Sequence, residues 1–158
     1  MENTLQAVSS SRLRTMLVIA DRRIDRSRDR TEAVAMANRI RNRFNEYAEE
    51  HGEVGFEIKP QSGMYQSVVR VEVLGFDDGM WAYTKSVHLP NSGSSGPFDI
   101  WDVRQSKREA IRAGVGNALR YMSRCEQNAS AVNEKRVAKM AITEMRRFLT
   151  EKVQTTLF

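Results

Sequence analysis

The spacing of apolar residues changes period twice along this chain, and that change constrains the fold more than any other feature. Between residues 33 and 48 the apolar positions are Ala33, Met36, Ala37, Ile40, Phe44, Tyr47 and Ala48. Steps of three and four place them on one stripe of a helix. Arg39, Arg41, Arg43 and Glu46 flank that stripe, and Gly52 is a natural stop. Asp29 with Glu32 three residues on is a capping-box-like start. From residue 54 the period becomes two. Val54, Phe56 and Ile58 alternate, and Pro60 to Gly63 breaks the run. Val69, Val71 and Val73 alternate within Tyr65–Leu74, Asp77-Asp78-Gly79 signals a turn, and Trp81 to Leu89 makes a third strand. Their connections are too short for parallel crossovers, so the three form an antiparallel meander.

Helical spacing returns after residue 105. Ser106 opens a helix over 106–122 whose inner side is Ala110, Ala113, Gly114, Ala118 and Leu119, small enough to lie close against a sheet. Ser123 to Ser130 reads as a linker. A last helix runs from about Val132 to Val153, with Val137, Met140, Ala141, Met145, Phe148 and Leu149 on its apolar side and Lys135, Arg136, Lys139, Arg146, Arg147 and Lys152 as cations. Residues 1–10 are polar and expected to be mobile. Leu13, Met16, Leu17, Ala20 and Ile24 fit an amphipathic helix, although the apolar run at 17–19 also permits a short strand. The run 21–30 alternates in sign and reads as a solvated, ion-paired surface. Residues 90–97, rich in Pro, Gly and Ser, read as a flexible loop, and Phe98, Ile100 and Trp101 as a short extra strand or an anchor. The fold class is α+β: a three-stranded antiparallel sheet covered on one face by two helices (αβββα), with extra N- and C-terminal helices. It divides into 1–30, a core over 31–122, and 123–158.

Composition adds the charge distribution. The 158 residues are 41% hydrophobic and 28% charged, with a formal net charge of +5. Residues 1–52 carry 10 Lys or Arg against 8 Asp or Glu, residues 53–103 carry 3 against 7, and residues 104–158 carry 12 against 5. The positive field therefore sits in the last third, which points to an acidic partner, nucleic acid above all. A single cysteine, Cys125, excludes an intrachain disulfide and a cysteine-based zinc site. It also suggests an intracellular, cytoplasmic setting (host cytoplasm if the protein is viral). No signal peptide or membrane span is evident.

Lys107 and Arg108 stand in the first turn of the 106–122 helix, where the helix dipole favours anions rather than cations. Two readings follow: a capped surface helix with two solvated cations, or a helix end at which N–H groups and basic side chains converge on a phosphate.

Phe44-Asn45-Glu46-Tyr47, Phe56-Glu57-Ile58, Ser106-Lys107-Arg108-Glu109-Ala110 and the small-residue run Ala113 to Leu119 together resemble a double-stranded RNA-binding domain over residues 35–122. The resemblance implies that Lys107 and Arg108 grip phosphates across the major groove and that Glu46 reaches a 2′-hydroxyl in the minor groove. It departs from the family in having Arg112 one place beyond the third basic position, Gly63-Met64-Tyr65-Gln66 in the loop between strands one and two, and an enlarged 90–105 loop. A rigid αβββα unit of this kind spans about 16 base pairs of duplex and reads shape.

The expected activity is non-catalytic binding of double-stranded RNA or DNA, RNA preferred. Lys107, Arg108, Arg112 and Arg104 would supply phosphate contacts. Glu46, Asn45, Gln61, Ser62 and Gln66 would lie at the minor groove, with Arg39 and Arg43 flanking. Trp81, Tyr83 and Trp101 read as core or loop anchors, because a middle segment of net −4 makes a poor base-stacking platform. No cofactor and no membrane is expected. Asp77, Asp78, Asp99 and Asp102 could hold Mg²⁺, and Glu57-Ile58-Lys59 matches the Glu-x-Lys of nucleases; no Asp on a preceding hairpin completes that site, so no enzyme is expected. His51, His88 and Cys125 lack an evident catalytic partner. The rival function is a small protein-interaction module or inhibitor, of viral or phage type, acting on a host protein or dimerising through its terminal helices. Met140, Met145 and Phe148 would then be interface, although that stripe reads first as core packing.

Overall fold

The computed structural model describes residues 9–26 and 30–154. Residues 1–8, the Asp29 helix start and residues 27–29 of the charged run lie outside the described residues, as do the side chains of Ile24 and Lys152. The elements are α1 (Ser10–Arg26), α2 (Thr31–His51), β1 (Glu53–Ile58), β2 (Val69–Gly75), β3 (Trp81–His88), β4 (Gly93–Ser95), α3 (Lys107–Asn128) and α4 (Val132–Gln154). The strands form one antiparallel sheet in the order β1-β2-β3-β4. The α+β class stands. The sheet has four strands rather than three, because Gly93 to Ser95 of the loop pair with His88 to Ser86 at the edge of β3.

Period-two alternation sorts the sheet into two faces. Phe56 and Ile58 of β1, Val69, Val71 and Val73 of β2, and Tyr83 and Val87 of β3 share one face. It packs under Ala110, Ile111, Val115, Ala118 and Met122 of α3 and Val137, Ala138, Ala141, Ile142 and Met145 of α4. The small-residue side of α3 does what its sequence suggests. At Gly114 a Cβ would stand under 3.0 Å from Val71 Cγ1 and 3.3 Å from Tyr83 Cδ2.

The opposite face is only half covered. Leu74 and Ala82, paired across β2 and β3, join Phe76 and Ile100 beneath Leu13, Leu17 and Ala20 of α1 and Ala37, Ile40 and Tyr47 of α2. Helices therefore lie on both faces, not on one. The reason is visible at Val73-Leu74: two consecutive apolar residues in a strand point to opposite faces, so both need cover. Farther along, the same face carries Glu57, Arg70 and Glu72, joined by ion pairs of Arg70 to Glu57 (3.8 Å) and Glu72 (3.2 Å), with Lys59 on Glu57 at 2.8 Å. The Lys59 and Ser67 bonds hold the Glu57 carboxyl below its ordinary pKa.

The enlarged loop sets the direction of α3. After Leu89 the chain doubles back along the edge of β3. Asp99 N–H meets the Tyr83 carbonyl at 3.4 Å, and Trp81 and Arg104 exchange both backbone bonds at 2.8 Å. The chain thus arrives beside the start of β3 before α3 begins. Gly114 then lies over Tyr83, and Tyr121 lies by Lys85, whose Nζ is 4.8 Å from the ring centroid. Helix α3 runs the same way as β3. Helix α4 returns alongside it, with Arg112 Nη1 donating to the Leu149 carbonyl at 3.1 Å and Lys139 within 4.0 Å of Glu126.

Several expectations are corrected at this level. Helix α3 continues to Asn128 through the stretch read as a linker. The Met140, Met145 and Phe148 stripe, by contrast, is core as its spacing first suggests: Met145 is fully buried, and the Phe148 and Phe56 rings are 4.7 Å apart. Trp101 is 58% exposed, whereas Ile100 beside it is buried and supplies the anchor. No helix among the described residues is long and apolar enough to cross a membrane.

Candidate nucleic-acid interface

Ser106 caps α3 in extended conformation, its Oγ accepting from Glu109 N–H at 3.1 Å. The Glu109 carboxylate reaches back to Gln105 N–H at 3.2 Å, so the helix start is tied to the residue before its cap as well as to the cap itself. This fixes the direction in which the basic residues leave the helix. Lys107 and Arg108 are both exposed. Lys107 Nζ pairs with Glu53 at the start of β1 and sits 5.7 Å from the Trp81 ring centroid. An exposed pair of this kind contributes about 0–1 kcal/mol, so Lys107 can leave Glu53 for another anion at small cost.

Arg104 and Arg112 are half-buried in the same neighbourhood. Arg104 Nη2 lies 2.9 Å from Asp102 Oδ1. The Tyr83 hydroxyl donates to Asp102 Oδ2 at 2.5 Å, and Asn117 Nδ2 donates to that hydroxyl at 2.7 Å. Arg120 in turn donates to Asn117 Oδ1. The hydrogen bond from Tyr83 and the pairing with Arg104 outweigh burial and hold Asp102 below the ordinary carboxylate range. Burial, and then Asp102, push the Tyr83 hydroxyl up, so it remains a donor. Asp102, weighed above as a metal ligand, is thus occupied by a phenol and a guanidinium.

These residues line a cleft of about 500 Å³ across the outer side of α3, with Arg104, Arg112, Arg120, Asn117, Gly116 and Leu149 in its walls. Arg120, Asn117 and Gly116 escaped the sequence reading. Their signal is the spacing Arg112, Gly116, Arg120, every fourth residue on one helical line.

The remaining expected contacts lie elsewhere. Arg39, Arg43, Asn45 and Glu46 are exposed on α2, across the sheet from α3. Gln61, Ser62 and Gln66 sit in the β1–β2 loop. Glu53, which meets Lys107, opens β1, and Ile58 closes it; at about 3.3 Å per residue the loop is roughly 17 Å from the start of α3. The structure gathers Arg104, Lys107, Arg108 and Arg112 and separates the other seven from them.

Among the described residues no group of three His, Cys, Asp or Glu side chains is placed to hold a metal ion. His51 is hydrogen-bonded to the Tyr47 carbonyl at 3.0 Å and stacked on its ring, and His88 lies 3.2 Å from the Ser67 carbonyl. Comparison with protein-family models, curated proteins and solved structures finds no match for this chain.

Proposed function

We propose that this chain binds double-stranded nucleic acid, RNA preferred, without catalysing a reaction, and that α3 and its lead-in carry the phosphate contacts. The observation that carries the reading is the gathering of Arg104, Lys107, Arg108 and Arg112 at one helix start, within a last third of net +7. Clustered cations at a capped helix end suit phosphate oxygens, which form most protein contacts to a duplex. Asn45, Glu46, Arg39 and Arg43 lie across the sheet, so a rigid duplex seated on α3 draws on the α3 cations before it reaches α2. Gln61, Ser62 and Gln66, at the far end of the sheet, are left as a second, weaker contact with a groove.

The test is binding to a duplex of about 20 base pairs as RNA, as DNA and as single strand, across a salt series. Four phosphate contacts should give a log–log salt slope of roughly −3 to −4. Reversing Lys107 and Arg108 together to Glu should abolish binding while leaving the melting temperature within a few degrees of wild type. Equal affinity for duplex RNA and DNA would remove the RNA preference. Absence of binding at about 50 mM salt would refute the nucleic-acid reading altogether.

A further inference from the structure

The α3 cleft holds more than the proposed duplex contacts use, and its contents select a ligand. Hydrogen bonds run in one direction from Arg120 through Asn117 and Tyr83 to Asp102, where Arg104 meets them. Asp102 thereby accepts from the Tyr83 hydroxyl and pairs with one guanidinium. Glu109, the other acid in the lining, is turned to Gln105 N–H at the helix start. Arg112 and Arg120 each give one donor to a neutral partner, the Leu149 carbonyl and Asn117 Oδ1. A guanidinium has five donors, so most of theirs stay available, and the relay fixes where Arg120 and Asn117 point. Arg104 Nε, in the same wall, is buried and has no hydrogen-bond partner among the described residues.

Gly116 supplies a second, independent observation. Glycine in a helix interior is destabilising relative to alanine. At Gly114 the missing Cβ is demanded by Val71 and Tyr83, but at Gly116 nothing beyond the helix's own neighbouring backbone lies within 4 Å of where a Cβ would stand. Nothing in the fold asks for glycine there. It lies one turn from Arg112 and one turn from Arg120, in the wall of the cleft. Its bare backbone leaves room for a ligand to approach the helix between the two guanidiniums.

We propose that this cleft binds a phosphate monoester, held by Arg112 and Arg120 on either side of Gly116 with Arg104 and Asn117 behind. Guanidinium forks match phosphate oxygens bidentately, and a monoester dianion offers three acceptor oxygens to donors that come from several directions. The volume lies within the usual range for small-ligand sites, about 300–1,000 Å³, so the ester's organic part fits as well. The monoester is carried either by a free mononucleotide or by the 5′ end of a strand. Arg104 and Arg112 are shared with the proposed duplex contacts, whereas Gly116, Asn117 and Arg120 belong to the cleft alone and Lys107 and Arg108 lie outside its walls.

Calorimetric titration with AMP, at ionic strength matched with chloride, tests the site in the full-length protein. The expected result is saturable binding that is absent for adenosine, strengthens between about pH 5.5 and 7.5 as the phosphate takes its second charge near pH 6, and weakens at least tenfold in Arg112→Gln, Arg120→Gln and Gly116→Ala. Gly116→Ala keeps the test clear of misfolding, because its melting temperature should equal or exceed that of wild type. A 10-nucleotide strand with and without a 5′-phosphate then separates the sources: a preference for the phosphorylated end assigns the site to strand ends, and equal weak binding of both assigns it to mononucleotides. AMP binding no tighter than adenosine, or unchanged by Gly116→Ala and Arg120→Gln, would overturn the proposal. Loss of AMP binding alone would leave the duplex reading standing, and loss of duplex binding in the Lys107 and Arg108 reversal should leave AMP binding intact.

Discussion

Replacing Gly114 and Gly116 separately by alanine asks two opposite questions of one helix. Both lie in the interior of α3, so both substitutions gain the same intrinsic helix preference, about 0.5–1 kcal/mol. At Gly116 nothing beyond the helix's own neighbouring backbone lies within 4 Å of the new methyl, and that gain should appear undiminished. At Gly114 the methyl would fall under 3.0 Å from Val71 Cγ1, about 1 Å inside the 3.5–4.0 Å of a normal carbon contact. Val71 is fully buried in the centre of the sheet, and its β-branched side chain has few rotamers in which to retreat. Overpacking of this kind costs about 1–3 kcal/mol. With the upper end apt for so central a contact, Gly114→Ala should be about 2 kcal/mol less stable than wild type. The difference between the two variants, about 3 kcal/mol, isolates the steric cost because helix preference cancels. Urea unfolding followed by circular dichroism reads it directly. With a slope of about 2 kcal/mol per molar, the Gly114→Ala midpoint should fall by about 1 M and the Gly116→Ala midpoint should rise by a few tenths. Equal shifts in the two variants would mean that α3 does not approach β2 as closely as described, and a destabilised Gly116→Ala would give that glycine a packing role.

Two further tests concern local anchors. Ser106→Ala removes the oxygen that accepts from Glu109 N–H and should lower stability by about 1 kcal/mol, read as a urea midpoint shift at unchanged slope. Asp78 accepts from the Ser10 hydroxyl at 2.6 Å and from the N–H groups of Ser11 and Met80 at 3.3 Å, tying the start of α1 to the β2–β3 turn. Burial pushes that carboxyl up, but these bonds together outweigh it and leave the pKa below its ordinary value. A depressed folded-state pKa stabilises the fold above the unfolded value of about 3.9, and the benefit is lost as pH falls through the folded one. Asp78→Asn should therefore be less stable than wild type at pH 7 and indistinguishable from it well below pH 3.9; a gap that persists in strong acid would rule out the carboxylate as its source.

What the sequence could show depended on how local the deciding interaction is. The α2 stripe was legible because four of its members, Ala33, Ala37, Ile40 and Tyr47, are buried by the helix's own geometry. The three long strands were legible because alternation and turn residues lie in the same short windows, except that a bulge between Val54 and Phe56 pairs Val54 with Glu72 and takes it off the Phe56–Ile58 face. Strand β4 was not, since Gly93 to Ser95 have poor strand preference and extend only because the edge of β3 pairs with them. Ser123 looked like the start of a linker, yet its hydroxyl bonds back to the Leu119 carbonyl at 2.8 Å and the helix continues over Met122 and Cys125, which reach the core. At the site, the cations of the first turn could be named because a cap residue precedes them. Arg120 and Asn117 acquire their role from Tyr83 and Asp102, 34 and 15 residues away in the chain, and that proximity has no local signature.

The segment after Leu89 joins the fold to the cleft. A short turn after β3 would start α3 at the β1–β2 end of the sheet and send it back antiparallel to β3. To lay α3 parallel to β3, the chain must first return along that strand, as any parallel connection requires a crossover. The return leg runs beside the outermost long strand, where β4 and the Trp81–Arg104 exchange occupy backbone groups that an open edge would offer to another chain. The leg ends beside Tyr83, which points from the sheet toward α3. It therefore has to place Asp102 and Arg104 where the Tyr83 hydroxyl and Asn117 emerge. Covering the sheet edge, reversing α3 and building the cleft wall are thus consequences of one chain path, and a loop that composition marks as featureless determines which side of α3 faces solvent with its arginines aligned.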